Sequence, residues 1–218
     1  MTTTSSFWLT ASAAVLAALS ATNAMAQQPP AYITADREPL RRAFGEALAS
    51  RVFSDQFTVR RQAALAASAK RLPGFDCPQQ PPAALVSVFP WPALPGRSAW
   101  IERYAMRCQP STVRNFVAVE EGGEVRFTEM APGLSNTDPL LQRDLMQGIG
   151  AATVRYRPPG CNDPLFVLNV RMTPEASPSP GRWREAWEVS VCGQKAEIRV
   201  GFQPSAGRGT TWTIERNP

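Results

Sequence analysis

The residues best suited to chemistry are two glutamates, each of which stands between two aromatic residues. The pattern Trp-x-Glu-x-aromatic occurs twice, as Trp100, Glu102 and Tyr104 and again as Trp183, Glu185 and Trp187. Because alternate residues of a β-strand point to the same face, each glutamate would share a face with its two rings. In a structural interpretation the rings cover the core and the glutamate accepts hydrogen bonds from an arginine or a loop N–H. Arg97 and Arg182, just upstream of the two patterns, are candidate partners.

Two functional interpretations stand beside the structural one. Aromatic faces with nearby acids suit sugars, peptides and cationic groups, so all six residues are candidate ligand-binding residues. Two carboxylates at equivalent positions would form a glycosidase-like pair if they lay roughly 5–9 Å apart. Nothing in the sequence brings the two glutamates that close, and we favour the structural interpretation.

The residue types that are missing narrow the chemistry further. The chain has no histidine, which excludes Ser-His-Asp and Cys-His catalysis and histidine-ligated zinc or haem. Neither Lys70 nor Lys195 follows a serine at the S-x-x-K spacing, and no glycine-rich nucleotide-binding motif is present. The sequence therefore predicts no catalytic residue, no metal site and no cofactor. It favours a non-enzymatic protein and leaves a carboxylate-dependent hydrolase as an alternative.

The N-terminus has the pattern of an export signal. Residues 7–19 are almost wholly apolar and carry no charge, a stretch shorter than the ~20 residues that span a bilayer. Ala24, Met25 and Ala26 follow as a small-x-small cleavage site. We expect a cleavable signal peptide over 1–26, with an anchor helix as the alternative, and a periplasmic or secreted mature chain with no membrane span. Its net charge of +5 is small and dispersed, so we expect an envelope protein or polymer as partner rather than a nucleic acid.

Four cysteines lie in the mature chain, at positions Cys77, Cys108, Cys161 and Cys192. An even number of cysteines in an exported protein indicates two disulfides, and three pairings are possible. The spacing within the first two equals the spacing within the last two. This equality favours the pairs Cys77–Cys108 and Cys161–Cys192.

The patterning of the remaining chain predicts helices followed by strands. Helices are expected over 40–52 and 55–72, the second with a solvated basic face formed by Arg60, Arg61, Lys70 and Arg71. Strands are expected over 84–89, 99–108, 112–120 and 125–130. A helix over 138–152 follows, with Asp138 as its N-cap and Pro139 in its first turn. Strands are expected again over 165–172, 182–192, 195–203 and 210–215.

Both halves share an order of features that indicates an internal duplication. Each contains Pro-Gly-Arg, then the Trp-x-Glu-x-aromatic pattern, then a cysteine. The predicted fold is α+β, mainly antiparallel β, with two duplicated four-stranded units linked by a helix and N-terminal helices packed on them. The predicted segments are a signal peptide over 1–26, a leader and helices over 27–74, a first disulfide-stapled β unit over 75–134, a connecting helix over 135–158 and a second stapled β unit over 159–218.

The second half resembles a pattern of uncharacterised exported proteins of Gram-negative bacteria. The resemblance rests on Trp183-x-Glu185-x-Trp187, on Cys192-Gly193, on the apolar stretch 198–202 and on Gly209-Thr210-Thr211. The segment from Pro132-Gly133 to Asp138-Pro139 is similar to a segment of the same group. The resemblance covers roughly residues 75–216 and implies an envelope location and this domain type, with no assigned activity. We therefore expect an exported, non-enzymatic interaction module, with a small-ligand or glycan binder and, after it, a hydrolase as the alternatives.

Overall fold

The computed structural model describes residues 37–69, 71, 76–77, 83–91, 96–109, 112–174, 180–206 and 209–215. The predicted signal peptide lies outside these ranges. Three helices come first: α1 Glu38–Phe44, α2 Glu46–Val52 and α3 Asp55–Ala69. The single helix predicted over 40–52 is thus two helices. The break is at Gly45, whose φ of 86° and ψ of 168° take the backbone out of the helical conformation.

Two four-stranded antiparallel sheets follow, separated by a helix. The first sheet has the order β1-β2-β3-β4, with β1 Ala83–Pro90, β2 Ser98–Met106, β3 Thr112–Glu121 and β4 Glu124–Glu129. Helix α4, Pro139–Thr153, and a short 3₁₀ turn, Val154–Tyr156, come next. The second sheet has the order β5-β6-β7-β8, with β5 Phe166–Thr173, β6 Trp183–Val191, β7 Gln194–Pro204 and β8 Thr210–Ile214. The predicted α+β fold with two antiparallel four-stranded sheets is confirmed.

Each sheet buries one face under helices. The N-terminal helices cover the first sheet, where Leu40, Val52 and Phe57 pack with Val88 and Trp100. In the second sheet, α4 packs through Leu145 and Ile149 onto a core of Trp187, Val200 and Phe202. The helix that we expected to link the two units thus also packs on the second sheet. We call α1–α3 with β1–β4 the first unit, and α4 with β5–β8 the second unit.

Two disulfides close corresponding parts of the two units. Cys77 is bonded to Cys108 and Cys161 to Cys192, each over a sequence separation of 31, as the spacing predicted. In both units the bond joins the residues before the first strand to the residues after the second strand. Disulfides of this kind persist in oxidising compartments, which is compatible with folding outside the cytoplasm. Among the described residues, no helix is long and apolar enough to cross a bilayer.

Residues 130–138, which we call the linking segment, connect the two units through backbone hydrogen bonds. The N–H of Gly133 donates to the carbonyl of Val113 in β3, at 2.8 Å, and the N–H of Leu134 donates to the carbonyl of Val170 in β5, at 2.7 Å. Gly133 has a φ of 90°, and a Cβ there would lie 2.3 Å from the carbonyl oxygen of Val170. Only glycine fits this close approach, so the position of the linking segment depends on it.

Candidate functional site

The first glutamate, Glu102 in the middle of β2, is completely buried between the sheet and α3. The indole Nε1–H of Trp100 donates to one carboxylate oxygen at 2.7 Å, and the hydroxyl of Tyr104 donates to the other. Arg61 of α3 donates from Nε and from Nη2, each at 2.9 Å, so that its guanidinium meets the carboxylate in the bidentate geometry. The strand alternation thus places the two aromatic donors as expected, and a helix supplies the counter-charge.

The second glutamate, Glu185 in β6, is equally buried but has no arginine among its hydrogen-bond donors. Trp183 and Trp187 donate from their indole nitrogens at 3.1 and 3.0 Å. The linking segment supplies the remaining donors: the backbone N–H of Asn136 at 2.8 Å and the hydroxyl of Ser135, which lies 3.0 Å from both carboxylate oxygens. This is the loop N–H arrangement that the structural interpretation allowed for.

The predicted arginine partners are wrong. Arg97 pairs with Glu121, and Arg182 is not among the donors to Glu185. The partner of Glu102 is Arg61, which we expected in solvent with the basic face of its helix but which is only 6% exposed. A signal was present in the sequence, because Arg61 follows the apolar Phe57 by four residues and so lies on the buried stripe of the helix.

The geometry decides what these carboxylates can do. Each accepts hydrogen bonds from four donor groups, which uses the acceptor capacity of an ionised carboxylate. Both glutamates are completely buried, and the two lie in the cores of different units. A glycosidase pair needs both carboxylates in contact with one substrate. The arrangement therefore favours the structural interpretation of both patterns.

Burial also shapes the protonation of Glu185 and Tyr104. Burial raises the pKa of the Glu185 carboxyl, and the hydrogen bonds from Asn136, Ser135, Trp183 and Trp187 oppose that shift. Burial, and next the charge of Glu102, raise the pKa of the Tyr104 phenol. The phenol therefore stays protonated and serves as a donor to Glu102.

A second polar cluster, which the sequence interpretation missed, lies where β3 and β4 meet the end of α3. Arg114 donates from Nε to the hydroxyl of Ser68 at 2.8 Å and from Nη2 to Glu129. Ser68 and Arg71 also donate to Glu129, each at 2.7 Å. Arg114 is only 2% exposed. The strand alternation could have found it, because Arg114 shares its face of β3 with the core residue Phe116.

A third group, at the second disulfide, has no ligand chemistry to offer. The carboxylate of Asp163 lies within 4.8 Å of the sulfurs of Cys161 and Cys192. Both sulfurs are held in the disulfide, and a cysteine binds metal as a thiolate. This cluster is therefore not a metal site in the oxidised protein.

Comparison of the chain with protein-family models, with curated proteins and with solved structures gives no match. A proposal about function therefore depends on the chemistry of the chain itself. That chemistry consists of two buried carboxylates, one in each unit, and the polar cluster around Arg114 in the first unit.

Proposed function

We propose that this protein is an exported, non-enzymatic binding module of the cell envelope, acting in the periplasm or after secretion. The observation that carries the proposal is the complete burial of Glu102 and Glu185, each with its acceptor capacity used inside the protein. A general base or a nucleophile needs a free lone pair within reach of substrate. The predicted signal peptide, the two disulfides and the resemblance to exported proteins support the location.

We also propose that the two units descend from one duplicated helix–sheet unit. Cys77 and Cys161 are 84 residues apart, and so are Cys108 and Cys192. The 15-residue helices α3 and α4 start at Asp55 and Pro139, which gives the same shift. The proposed repeat thus includes the helix as well as the sheet.

The duplication accounts for the different partners of the two glutamates. The same shift of 84 residues takes Arg61 of α3 to Leu145 of α4, and both side chains are buried. Where the first unit places a guanidinium against its glutamate, the second places an apolar side chain, and Ser135 and Asn136 supply the missing donors. A buried carboxylate present in both units with two different sets of partners supports a structural role in each.

Glycan binding through the aromatic faces has less support. Trp100 and Trp187 are completely buried, and Trp183 stacks on Phe202 with ring centroids 4.6 Å apart. Tyr104 lines a cleft of about 570 Å³ beneath α3, but its hydroxyl already donates a hydrogen bond to Glu102. The aromatic residues are thus engaged within the protein.

The test uses the mature protein with both disulfides intact. To detect turnover, the protein is incubated with peptidoglycan and with oligosaccharides. To detect binding, the immobilised protein is incubated with envelope extract and the retained components are analysed. We expect no turnover, and a component that is retained by the native protein and lost from the reduced, alkylated protein. Turnover that disappears in Glu102→Gln or Glu185→Gln variants with native near-ultraviolet circular dichroism would overturn the proposal, and so would recovery of the protein only in the cytoplasm with its thiols reduced.

A further inference from the structure

The junction of the two units contains a cleft of about 550 Å³, which we call the interunit cleft. The end of β4 and the linking segment form one wall, and α4 with the start of β5 forms the other. Small-molecule sites typically have volumes of about 300–1,000 Å³ and predominantly apolar walls. The interunit cleft fits both criteria, because most of its lining is apolar, including Met130, Ala131, Pro132, Met146, Phe166 and Val167.

One buried cation in this lining has unused hydrogen-bonding capacity. Arg114 binds Ser68 and Glu129 through Nε and Nη2, while its Nη1 is buried and has no hydrogen-bond partner among the described residues. An unpaired buried donor is unfavourable, and most so on a charged group. Burial, and then the charge of Arg71, lower the pKa of the Arg114 guanidinium to about 10, so it remains cationic at neutral pH.

The charge around the cleft has the same sign. Arg71 and Arg143 also line it and are 63% and 74% exposed, and Glu129 is the one acidic residue of the described lining. Glu129 already accepts hydrogen bonds from Ser68, Arg71 and Arg114. Arg143 is itself paired with Asp144 at 3.3 Å. Arg71 and Arg114 therefore face the single anion Glu129, which leaves an excess positive charge beside apolar walls.

We infer that the interunit cleft binds a small anionic amphiphile, a carboxylate with an aliphatic chain, whose head group pairs with the exposed Arg71 and is attracted by the buried charge of Arg114. Arginine recognises carboxylates through charge-assisted N–H···O bonds. The apolar walls formed by Met146, Phe166 and Val167 would cover the chain. This inference depends on the proposed binding function and specifies its ligand class.

The four methionines of the predicted mature chain allow a direct test. Met130 and Met146 line the cleft, whereas Met106 is buried in the first unit and Met172 lies on β5 outside the cleft lining. The mature protein, labelled with ¹³C in its methionine methyl groups, is titrated with sodium octanoate, octan-1-ol and octyltrimethylammonium chloride. Octanoate should shift the Met130 and Met146 signals saturably, octan-1-ol should bind at least roughly tenfold more weakly, and the cation should leave both signals in place.

A charge-reversal pair supplies the matched variants. Arg71→Glu and Arg60→Glu both reverse an exposed arginine, but only Arg71 lines the cleft. We expect Arg71→Glu to weaken octanoate binding at least roughly tenfold, and Arg60→Glu to change it by less than about twofold. Arg114→Gln would remove the bonds of a buried arginine to Ser68 and Glu129, whereas Arg71→Glu removes one bond of an exposed arginine to Glu129, so Arg71→Glu is the decisive variant.

Three results would overturn the inference: no saturable shift of Met130 and Met146 with octanoate, equal affinity for octanoate and octan-1-ol, or equal effects of the two charge reversals. If any of these occurs while the native protein still retains an envelope component, the ligand class is wrong and the proposed binding function stands. Hydrolytic turnover that depends on Glu102 or Glu185 would reject the proposed function itself, whatever octanoate does.

Discussion

At the scale of single residues, the two buried glutamates show how one pattern can be completed in two ways. Each glutamate accepts hydrogen bonds from two aromatic side chains on its own strand. Glu102 then takes a bidentate arginine from a helix, and Glu185 takes a backbone N–H and a hydroxyl from the linking segment. Removing a buried ion-pair partner leaves an uncompensated charge, which costs more than the pair contributes when intact. The partners of these glutamates are therefore the residues most sensitive to substitution.

Arg61→Met tests the first arrangement. The substitution keeps an apolar, helix-compatible side chain and removes both N–H donors from Glu102, so we expect a loss of roughly 3–5 kcal/mol in the free energy of unfolding. The free energy of unfolding is measured by urea titration, with tryptophan fluorescence as the signal. Arg60→Met, an exposed position on the same helix, is the control and should change the value by less than about 0.5 kcal/mol. In the double variant Arg61→Met with Glu102→Gln the charge is absent, so the loss should be smaller than for Arg61→Met alone; an equal or larger loss would contradict a charge-based role.

The pH dependence of stability tests the second arrangement. The pKa of Glu185 is raised in the folded protein above its ordinary value of 4.5, because burial disfavours the charged form. The stability that this group contributes is therefore fully present below the unfolded pKa and is lost as the pH rises through the folded pKa. Urea titrations from pH 4 to 8 on the wild type and on Glu185→Gln should show the wild type losing stability relative to the variant as pH rises. A constant difference, or one that grows in favour of the wild type, would show that Glu185 is not desolvated.

At the scale of elements, local sequence patterns predicted which helices and strands exist better than they predicted which of these elements pack together. Strand alternation placed the strands closely, and the N-cap of α4 is as expected, since Asp138 accepts from the backbone N–H groups of Leu140 and Leu141. The break at Gly45 was missed because the apolar spacing continues across it. The site was predicted only in part, since a strand pattern fixes which aromatic residues flank a glutamate and contains nothing about the helix that packs above them.

Two glycines in α4 give a matched pair that tests how this helix lies on its sheet. A Cβ on Gly148 would lie 2.5 Å from the ring of Trp212 in β8, whereas a Cβ on Gly150 would meet nothing within 4 Å. Gly150→Ala should stabilise the protein by up to about 1 kcal/mol through helix propensity. Gly148→Ala should lose that gain and be destabilising by roughly 1 kcal/mol, because the ring must move. Thermal unfolding of both variants measures the difference; equal effects would mean that α4 does not approach β8 this closely.

At the scale of the whole molecule, two stapled units are joined by one short segment. The equal cysteine spacing predicted the staples, and the repeated pattern predicted two sheets. The position of the linking segment was not predictable, because its hydrogen bonds run to Val113 and Val170, partners far from it in sequence. The interunit cleft went unpredicted for the same reason, since its lining comes from both units.

Removing the disulfides one at a time tests the equivalence of the two units. Each bond closes a loop with a sequence separation of 31, so loop entropy gives roughly 3–4 kcal/mol of stabilisation for each. The paired substitutions Cys77→Ala with Cys108→Ala, and Cys161→Ala with Cys192→Ala, should therefore lower the free energy of unfolding by similar amounts, measured by urea titration. A large loss for one pair and none for the other would mean that only one unit depends on its bond. Peptide mapping that linked Cys77 to Cys161 would contradict the pairing itself.

Carboxyl footprinting tests whether both glutamates are buried inside the protein and serve its structure. The native protein is treated with a water-soluble carbodiimide and glycine ethyl ester, and the modification rate of each glutamate is read by mass spectrometry. Glu124, the exposed first residue of β4, is the internal reference. We predict that Glu124 is modified readily, while Glu102 and Glu185 stay unmodified until the protein is unfolded. Modification of either glutamate in the native protein at the rate of Glu124 would show that its carboxylate is accessible and free to serve as a functional group.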